Sequence, residues 1–299
     1  MDWIRVSMAG GLKDFTFTDY TGNESATGES VRYGKSQAGY AVNPWESVNY
    51  ASKHDNQTLF DLITYTSTGK SDMKLQTRQQ ALGLATAILG QGVFFDQQGS
   101  DLLRSKSFEN DSYNSGDFIN AVNYKNYETN GYSNKDKDEK YWGVVKQLYE
   151  KTKEETDQKP FNAGLQGRKS TMSNYYQELL SIRQRYREYI SLGSAEDIRN
   201  CVTFLNSGKD QTIGLIAMEI KKSDQEKLLV VINATPEVQD LTQKQADSQY
   251  KLVEVQAKTT AISVSQNVDN NNKSTINAVQ PWSVAVFQVG IDKDDNSGS

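Results

Sequence analysis

Cys201 is the only cysteine in 299 residues, so no disulfide can close within the chain and no thiolate cluster can hold a metal. Its solitary presence favours neither an oxidising nor a reducing compartment. Basic residues are also in the minority: 33 Lys and Arg face 38 Asp and Glu, leaving a net charge of -5 and a pI near 5.2. A polyanionic partner needs a concentrated basic field, so nucleic acid is not an expected partner and a neutral ligand fits better. No apolar run approaches membrane-spanning length, and Met1–Gly11 has neither the basic region nor the apolar core of a signal peptide; no membrane contact is expected. The HExxH pair, the glycine-rich phosphate loop, a Ser-His-Asp set and zinc-ligand spacing are all missing, which removes the usual footholds of other enzyme classes.

What is present begins with length. The chain exceeds the needs of one compact domain, and two units are the default expectation. Its 16 Tyr and 4 Trp supply amphipathic rings that suit sugar faces, although core packing is the commoner fate of any single ring. Residues 1–43 are rich in Gly, Ser, Thr and Tyr and read as a long loop. At 46–52, Val48 and Tyr50 alternate with smaller residues and predict a strand, which stops at Lys53-His54-Asp55-Asn56. Ala81, Leu82, Ala85, Ile88 and Leu89 then repeat at helical spacing over 76–89. Gly90-Gln91-Gly92 breaks that helix, and Val93-Phe94-Phe95 gives a second short strand ending at Asp96. Strand, helix, strand with short links predicts a βαβ unit, whose parallel strands place both polar ends on one edge.

Residues 100–166 form a long polar stretch with one predicted short helix over 140–153, and loops of that length are usually functional. Ser170 or Thr171 can cap the next helix, whose stripe of Met172, Tyr175, Tyr176, Leu179, Ile182, Tyr186 and Ile190 ends near Gly193. After about residue 196 only strands are predicted: 201–205, 213–220, 228–232, 250–255 and 282–289. Successive strands without helices indicate an antiparallel β-sandwich. The fold class expected is therefore α/β followed by all-β, with a boundary between 1–195 and 196–299. The tail at 292–299 is polar and should fray.

The run from Val48 to Asp61, VNYASKHDNQTLFD, resembles the fourth sequence region of the α-amylase superfamily of glycoside hydrolases. There a His-Asp pair closes the seventh strand of a (β/α)8 TIM barrel. Three further stretches extend the likeness to pullulanases of this superfamily, glycoside hydrolase family 13. These are Gly90–Ser107 continued by Asp111–Phe118, then Leu228–Pro236 with Pro281–Val286, and Met8–Phe15. The resemblance covers nearly the whole chain, in order, and implies the C-terminal part of a starch-debranching enzyme that hydrolyses α-1,6 links in pullulan or branched glucan. The substrate it implies is an α-glucan, including branched malto-oligosaccharides, and the partner it implies is the missing N-terminal part of the barrel. Intact members are often secreted or displayed at the cell surface. No cofactor is implied; members often carry structural calcium, yet no oxygen-ligand loop of the EF-hand type occurs here.

Carried over residue by residue, Asp55 would accept hydrogen bonds from vicinal hydroxyls at the cleavage position and stabilise the transition state, with His54 donating beside it. Charged acceptors make the stronger bonds, so Asp55 should be the more costly of the two to replace. Asn56, Asp96, Arg104, Asp117 and Asn120 are further substrate-binding candidates. The Arg often found four residues beyond the position of Asp117 is Ala121 here. Arg104 and Lys106 fit equally well as internal ion-pair partners that hold the loop. Nothing resembles the segments that carry the family's nucleophile and its acid. Glu109, Asp111, Asp136, Asp138 and Glu139 lie in charged loops that read as solvated. A non-catalytic carbohydrate-binding or assembly module of the same family is the alternative. Without the rest of a barrel, the helices around Leu82 and Leu179 should leave apolar faces uncovered.

Overall fold

The structure, a computed structural model, describes residues 1–67, 73–124, 128–129, 171–241, 250–257, 264–268 and 274–291. The helix expected over 140–153 and the tail at 292–299 lie outside the described residues. In chain order the elements are α1 (Asp2–Met8), β1 (Thr16–Phe17), β2 (Ala26–Thr27), β3 (Arg32–Tyr33), β4 (Ser36–Gln37), β5 (Val48–Asn49), α2 (Leu59–Ser67), α3 (Met73–Ile88) and β6 (Val93–Phe94). Then follow α4 (Asp117–Asn120), β7 (Val122–Asn123), β8 (Glu128–Thr129), α5 (Thr171–Arg185), α6 (Arg187–Ile190), α7 (Ala195–Cys201), β9 (Val202–Phe204), β10 (Leu215–Ser223) and β11 (Glu226–Asn233). The chain closes with β12 (Lys251–Leu252), α8 (Glu254–Ala257), β13 (Val264–Val268), β14 (Ser274–Val279) and β15 (Ser283–Val289). Two compact units result: Met1–Asn49 with Ala85–Phe94 and Glu178–Ser299, and Tyr50–Leu84 with Phe95–Gln177.

The first unit is organised by a five-stranded antiparallel sheet in the order β12-β15-β11-β10-β9. The unbroken apolar run Leu228–Ile232 cannot tolerate water on either side, and β11 accordingly lies inside the sheet with all five residues buried. On one face Leu229 and Val231 join Leu215, Ala217, Ala285, Phe287 and Val289 in a core closed by Leu241, Tyr250 and Val279. The alternate residues Leu228, Val230, Ile232, Ile216, Met218, Val284 and Val286 are buried too, so both faces are covered. Each such side chain contributes roughly 1.5–3 kcal/mol of burial.

The strands-only expectation after residue 196 needs correction. Helix α7 occupies Ala195–Cys201 and packs against β10, so Cys201 ends a helix and β9 starts at Val202. Its signal was present: Ser194 Oγ accepts the Asp197 N–H at 3.0 Å as an N-cap. The short helix α8 likewise replaces the end of the strand expected over 250–255. The long-loop reading of residues 1–43 is corrected by α1 and the hairpin pairs β1–β2 and β3–β4. Arg5 holds α1 in place. Its buried guanidinium pairs with Asp2 and donates to the Asn206 carbonyl at 2.7 Å and to Gln211 Oε1 at 2.5 Å.

The strand-helix-strand reading stands in reduced form. Strands β5 and β6 pair in parallel, Val48 with Val93 and Asn49 with Phe94. Asn49 Nδ2 donates to the Gln91 carbonyl at 2.8 Å. Gln91 is fully buried: its N–H bonds Met8 O at 2.8 Å, its amide donates to Tyr189 O at 2.7 Å, and its Oε1 accepts from Leu192 N at 2.9 Å. Gly92 enters β6 at φ +85°, where an added Cβ would stand 2.7 Å from the Pro44 carbonyl oxygen, so only glycine makes this turn without strain. Arg183 of α5 caps the same turn from outside, donating to Ile88 O, Gly90 O and Gly92 O at 2.6, 2.9 and 2.8 Å. Helix α5 follows the expected stripe but breaks at Tyr186 before α6.

In the second unit, α2 was not anticipated from sequence. Thr58 Oγ1 accepts the Asp61 N–H at 3.0 Å and starts it, and Phe60, Asp61 and Thr64 are its buried face. The apolar stripes through Leu82 and Leu179 are buried rather than open, which corrects the expectation of uncovered helix faces.

Candidate functional site

The chain leaves β5 at Asn49 and turns through Lys53-His54-Asp55-Asn56; it leaves β6 at Phe94 and turns through Asp96-Gln97. Both turns follow the C-terminal ends of parallel neighbours, the edge on which open α/β sheets collect their polar groups. Ser52 Oγ joins the two turns by donating to Gln97 Oε1 at 2.5 Å, and it also accepts the Leu59 N–H at 3.1 Å.

His54 is 87% exposed and Asp55 58% exposed. Their side chains approach to 3.6 Å, Nε2 to Oδ1, while Lys53 Nζ lies 2.7 Å from Asp55 Oδ2. The Lys53 bond and charge, aided by His54, hold the Asp55 carboxyl below the ordinary range. It therefore stays ionised and retains lone pairs for a ligand. The next residue, Asn56, sits at φ 60° and gives its N–H to Asn110 O at 2.9 Å.

This turn is braced from within the unit. Lys106, 1% exposed, donates from Nζ to the His54 carbonyl at 2.8 Å. Burial lowers the Lys106 pKa while the charge of Asp61 works to keep it protonated. Asp61 is itself completely buried; it accepts from Ser105 Oγ and, at 2.8 Å, from Lys106 N. Its pKa is raised by that burial, against the pull of these donors. The bracing loop is strained: Leu103, Ser107 and Phe108 all have positive φ, a cost of order 1 kcal/mol or more each that surrounding contacts must offset.

The other sequence candidates divide. His54, Asp55 and Asn56 share one turn. Arg104 and Asn120 form a second cluster, in which Arg104 donates to Gln98 O and Asn120 O, both at 3.0 Å, and Asn120 Nδ2 donates to Ser112 O at 2.7 Å. Of the two readings open for Arg104, its bonds favour holding the loop, with backbone carbonyls and not a carboxylate as partners. Lys106 also holds the loop. Asp117 is exposed at the first residue of α4. Asp96 accepts the Gln97 N–H at 2.8 Å, and burial raises its pKa against the opposing pull of Ser100 and Tyr176. The buried Asp61–Ser105 pair was missed by sequence reading, because nothing in the spacing of 61 and 105 announces their contact. Among the described residues no group of three or more His, Cys, Asp or Glu could hold a metal ion.

Residues 125–289, more than half of the chain, match the family described as alpha-1,6-glucosidases, pullulanase-type, C-terminal. A pullulanase of Klebsiella pneumoniae is 36% identical over 96% of this chain, and pullulanase 1, chloroplastic, of Arabidopsis thaliana is 32% identical over 73% of it. The chain spans only 26% and 22% of those two relatives. The crystal structure of the maltotriose complex of PulA from Klebsiella pneumoniae superposes with a TM-score of 0.79 at 33% identity, covering 99% of this chain and 32% of that one. A pullulanase structure from Paenibacillus barengoltzii, at 19% identity and a TM-score of 0.58 over 96% of this chain and 34% of that one, shares the fold. By the extent of the family match, the chain belongs to the pullulanase-type alpha-1,6-glucosidases, of which it represents the C-terminal region.

Proposed function

We propose that this chain forms the C-terminal part of a debranching glycoside hydrolase of family 13 that cleaves α-1,6 links in pullulan, starch or glycogen. Residues 1–195 then supply the last strands of a (β/α)8 TIM barrel, and 196–299 a β-sandwich domain. The observation that carries the reading is the exposed His54-Asp55 turn, placed just beyond a parallel strand and braced by Lys106.

The chemistry follows from charge. Glycosidic cleavage passes through an oxocarbenium-like state, and bonds to ring hydroxyls strengthen as the sugar flattens. An ionised Asp55 accepts from vicinal hydroxyls, His54 donates to one of them, and Asn56 lies in the same turn. Lys106 acts through the backbone and sets the height of that turn. Asp117 presents a carboxylate toward a neighbouring sugar, whereas Arg104 and Asn120 shape the loop that carries it. The nucleophile and the acid come from a part of the barrel outside this sequence, so these residues bind and stabilise without breaking a bond. The likeness to PulA, solved in complex with maltotriose, supports an α-glucan ligand.

His54 is the single histidine, so its imidazole resonances report on this turn alone. Maltotriose titrated to tens of millimolar should move them, and Asp55→Ala should abolish the movement; a stationary imidazole would refute the placement. The purified 299-residue chain should release no reducing ends from pullulan. Turnover by this chain would show that it holds its own carboxylate pair.

A further inference from the structure

A groove of about 690 Å³ opens within the first unit, lined among others by Trp3, Asp19, Tyr20, Arg32, Gln211 and Ile213. Its size falls in the range of about 300–1,000 Å³ that small-ligand sites occupy. None of these residues belongs to the His54-Asp55 turn. Of the lining rings, Trp3 is 52% exposed and Tyr20 67%.

The Trp3 ring and the Tyr20 backbone are fixed in advance. The Trp3 indole N–H donates to the Arg32 carbonyl, and the indole packs edge-on against Tyr33 with centroids 5.1 Å apart. Tyr20 is anchored through its N–H to Asp2 Oδ2 at 3.1 Å, and Asp2 is buried against Arg5. Gln211 accepts from Arg5. A platform already ordered spares a ligand the entropy of arranging it.

The same groove is lined by groups suited to hydroxyls. Asp19 Oδ1 accepts from Thr21 N, Thr21 Oγ1 and Asn23 N, while Oδ2 takes none of these bonds. Those bonds, led by Thr21, lower the Asp19 pKa, so the carboxylate is charged. Arg32 is exposed and forms no ion pair with any described residue. Asp2 is paired with Arg5, and Asp19 and Arg32 offset one another, which leaves the groove suited to an uncharged ligand. A glucose ring offers apolar C–H faces rimmed by vicinal hydroxyls, which match aromatic faces flanked by a carboxylate and a planar donor fork. We infer that this groove binds a linear α-1,4-glucan segment, separately from the strand-end turn. The inference rests on the α-glucan reading above.

The test is calorimetric titration of the 299-residue chain with maltoheptaose, with cellohexaose as the β-linked control. Saturable binding of maltoheptaose is expected, weakened at least about tenfold by Trp3→Ala and again by Tyr20→Ala. Both side chains are exposed, so circular dichroism should show both variants folded. Tyr40→Ala, which removes an exposed ring outside the groove, should leave this affinity unchanged. A folded chain that does not bind, equal binding of cellohexaose, or loss in His54→Ala without loss in Trp3→Ala would each overturn the inference. Failure of the strand-end reading is distinguishable: His54 would then be stationary toward maltotriose while binding sensitive to Trp3→Ala persisted.

Discussion

Arg183→Met tests how the second strand of the parallel pair is held. The guanidinium spans the turn between α3 and β6, bonding Ile88 O and Gly90 O from Nη1 and Gly92 O from Nη2. Its carbon lies 5.7 Å from the Phe94 ring centroid. Bonds from charged donors contribute roughly 1.5–3 kcal/mol each. Two of the three share one nitrogen, and burial lowers the Arg183 pKa, which marks a desolvation cost that offsets part of the gain. Adding about 0.5–1 kcal/mol for the ring contact, the net loss in Arg183→Met should be about 3 kcal/mol. With a urea slope near the upper end of the usual ~1–3 kcal/mol/M, the unfolding midpoint should fall by about 1 M. Arg183→Lys should recover only part of this, since a point charge cannot reach three carbonyls as the planar fork does. A midpoint within about 0.3 M of the parent for Arg183→Met would refute the reasoning, showing that the turn is held by Gly92 and Gln91 alone.

Lys106→Met removes the donor to the His54 carbonyl and leaves Asp61 without its nearby cation. Amide exchange at Asn56, whose N–H bonds Asn110 O, should quicken at least about tenfold, the equivalent of ~1.4 kcal/mol of local opening; unchanged exchange would deny the brace. Asp96 gives a pH dependence. Its folded pKa is raised by burial, so its contribution to stability is full below the unfolded value near ~3.9 and is lost as pH rises through the folded value. Urea midpoints measured from pH ~4 to ~7 should decline less steeply in Asp96→Asn than in the parent, and identical slopes would count against a buried, proton-retaining carboxyl.

Particular elements show why some of the fold was legible. The run Leu228–Ile232 has no polar position, so any fold must cover both its sides, and β11 is buried as that demands. Ala81, Leu82, Ala85 and Ile88 repeat at the helical period and became the buried face of α3. By contrast α1 has under two turns and an irregular pattern, and its order depends on Arg5 meeting Asn206 and Gln211 some two hundred positions away. Helix α2 was hidden behind the site motif, its cap supplied by a threonine that could equally end a loop.

The sequence by itself determined the order of the polar strand ends and pointed to His54 and Asp55 as candidates, because strand period and local resemblance are short-range properties. It also determined a net charge of -5, which argues against a polyanionic partner and needs no coordinates. Only the tertiary structure decided that Lys106 and Asp61 stand behind the His54-Asp55 turn, that Arg104 and Asn120 hold one another's loop, and that Trp3, Tyr20 and Arg32 line one groove. These are meetings of residues distant in the chain, selected by packing and by the demand that buried polar groups find partners, and no local pattern encodes them.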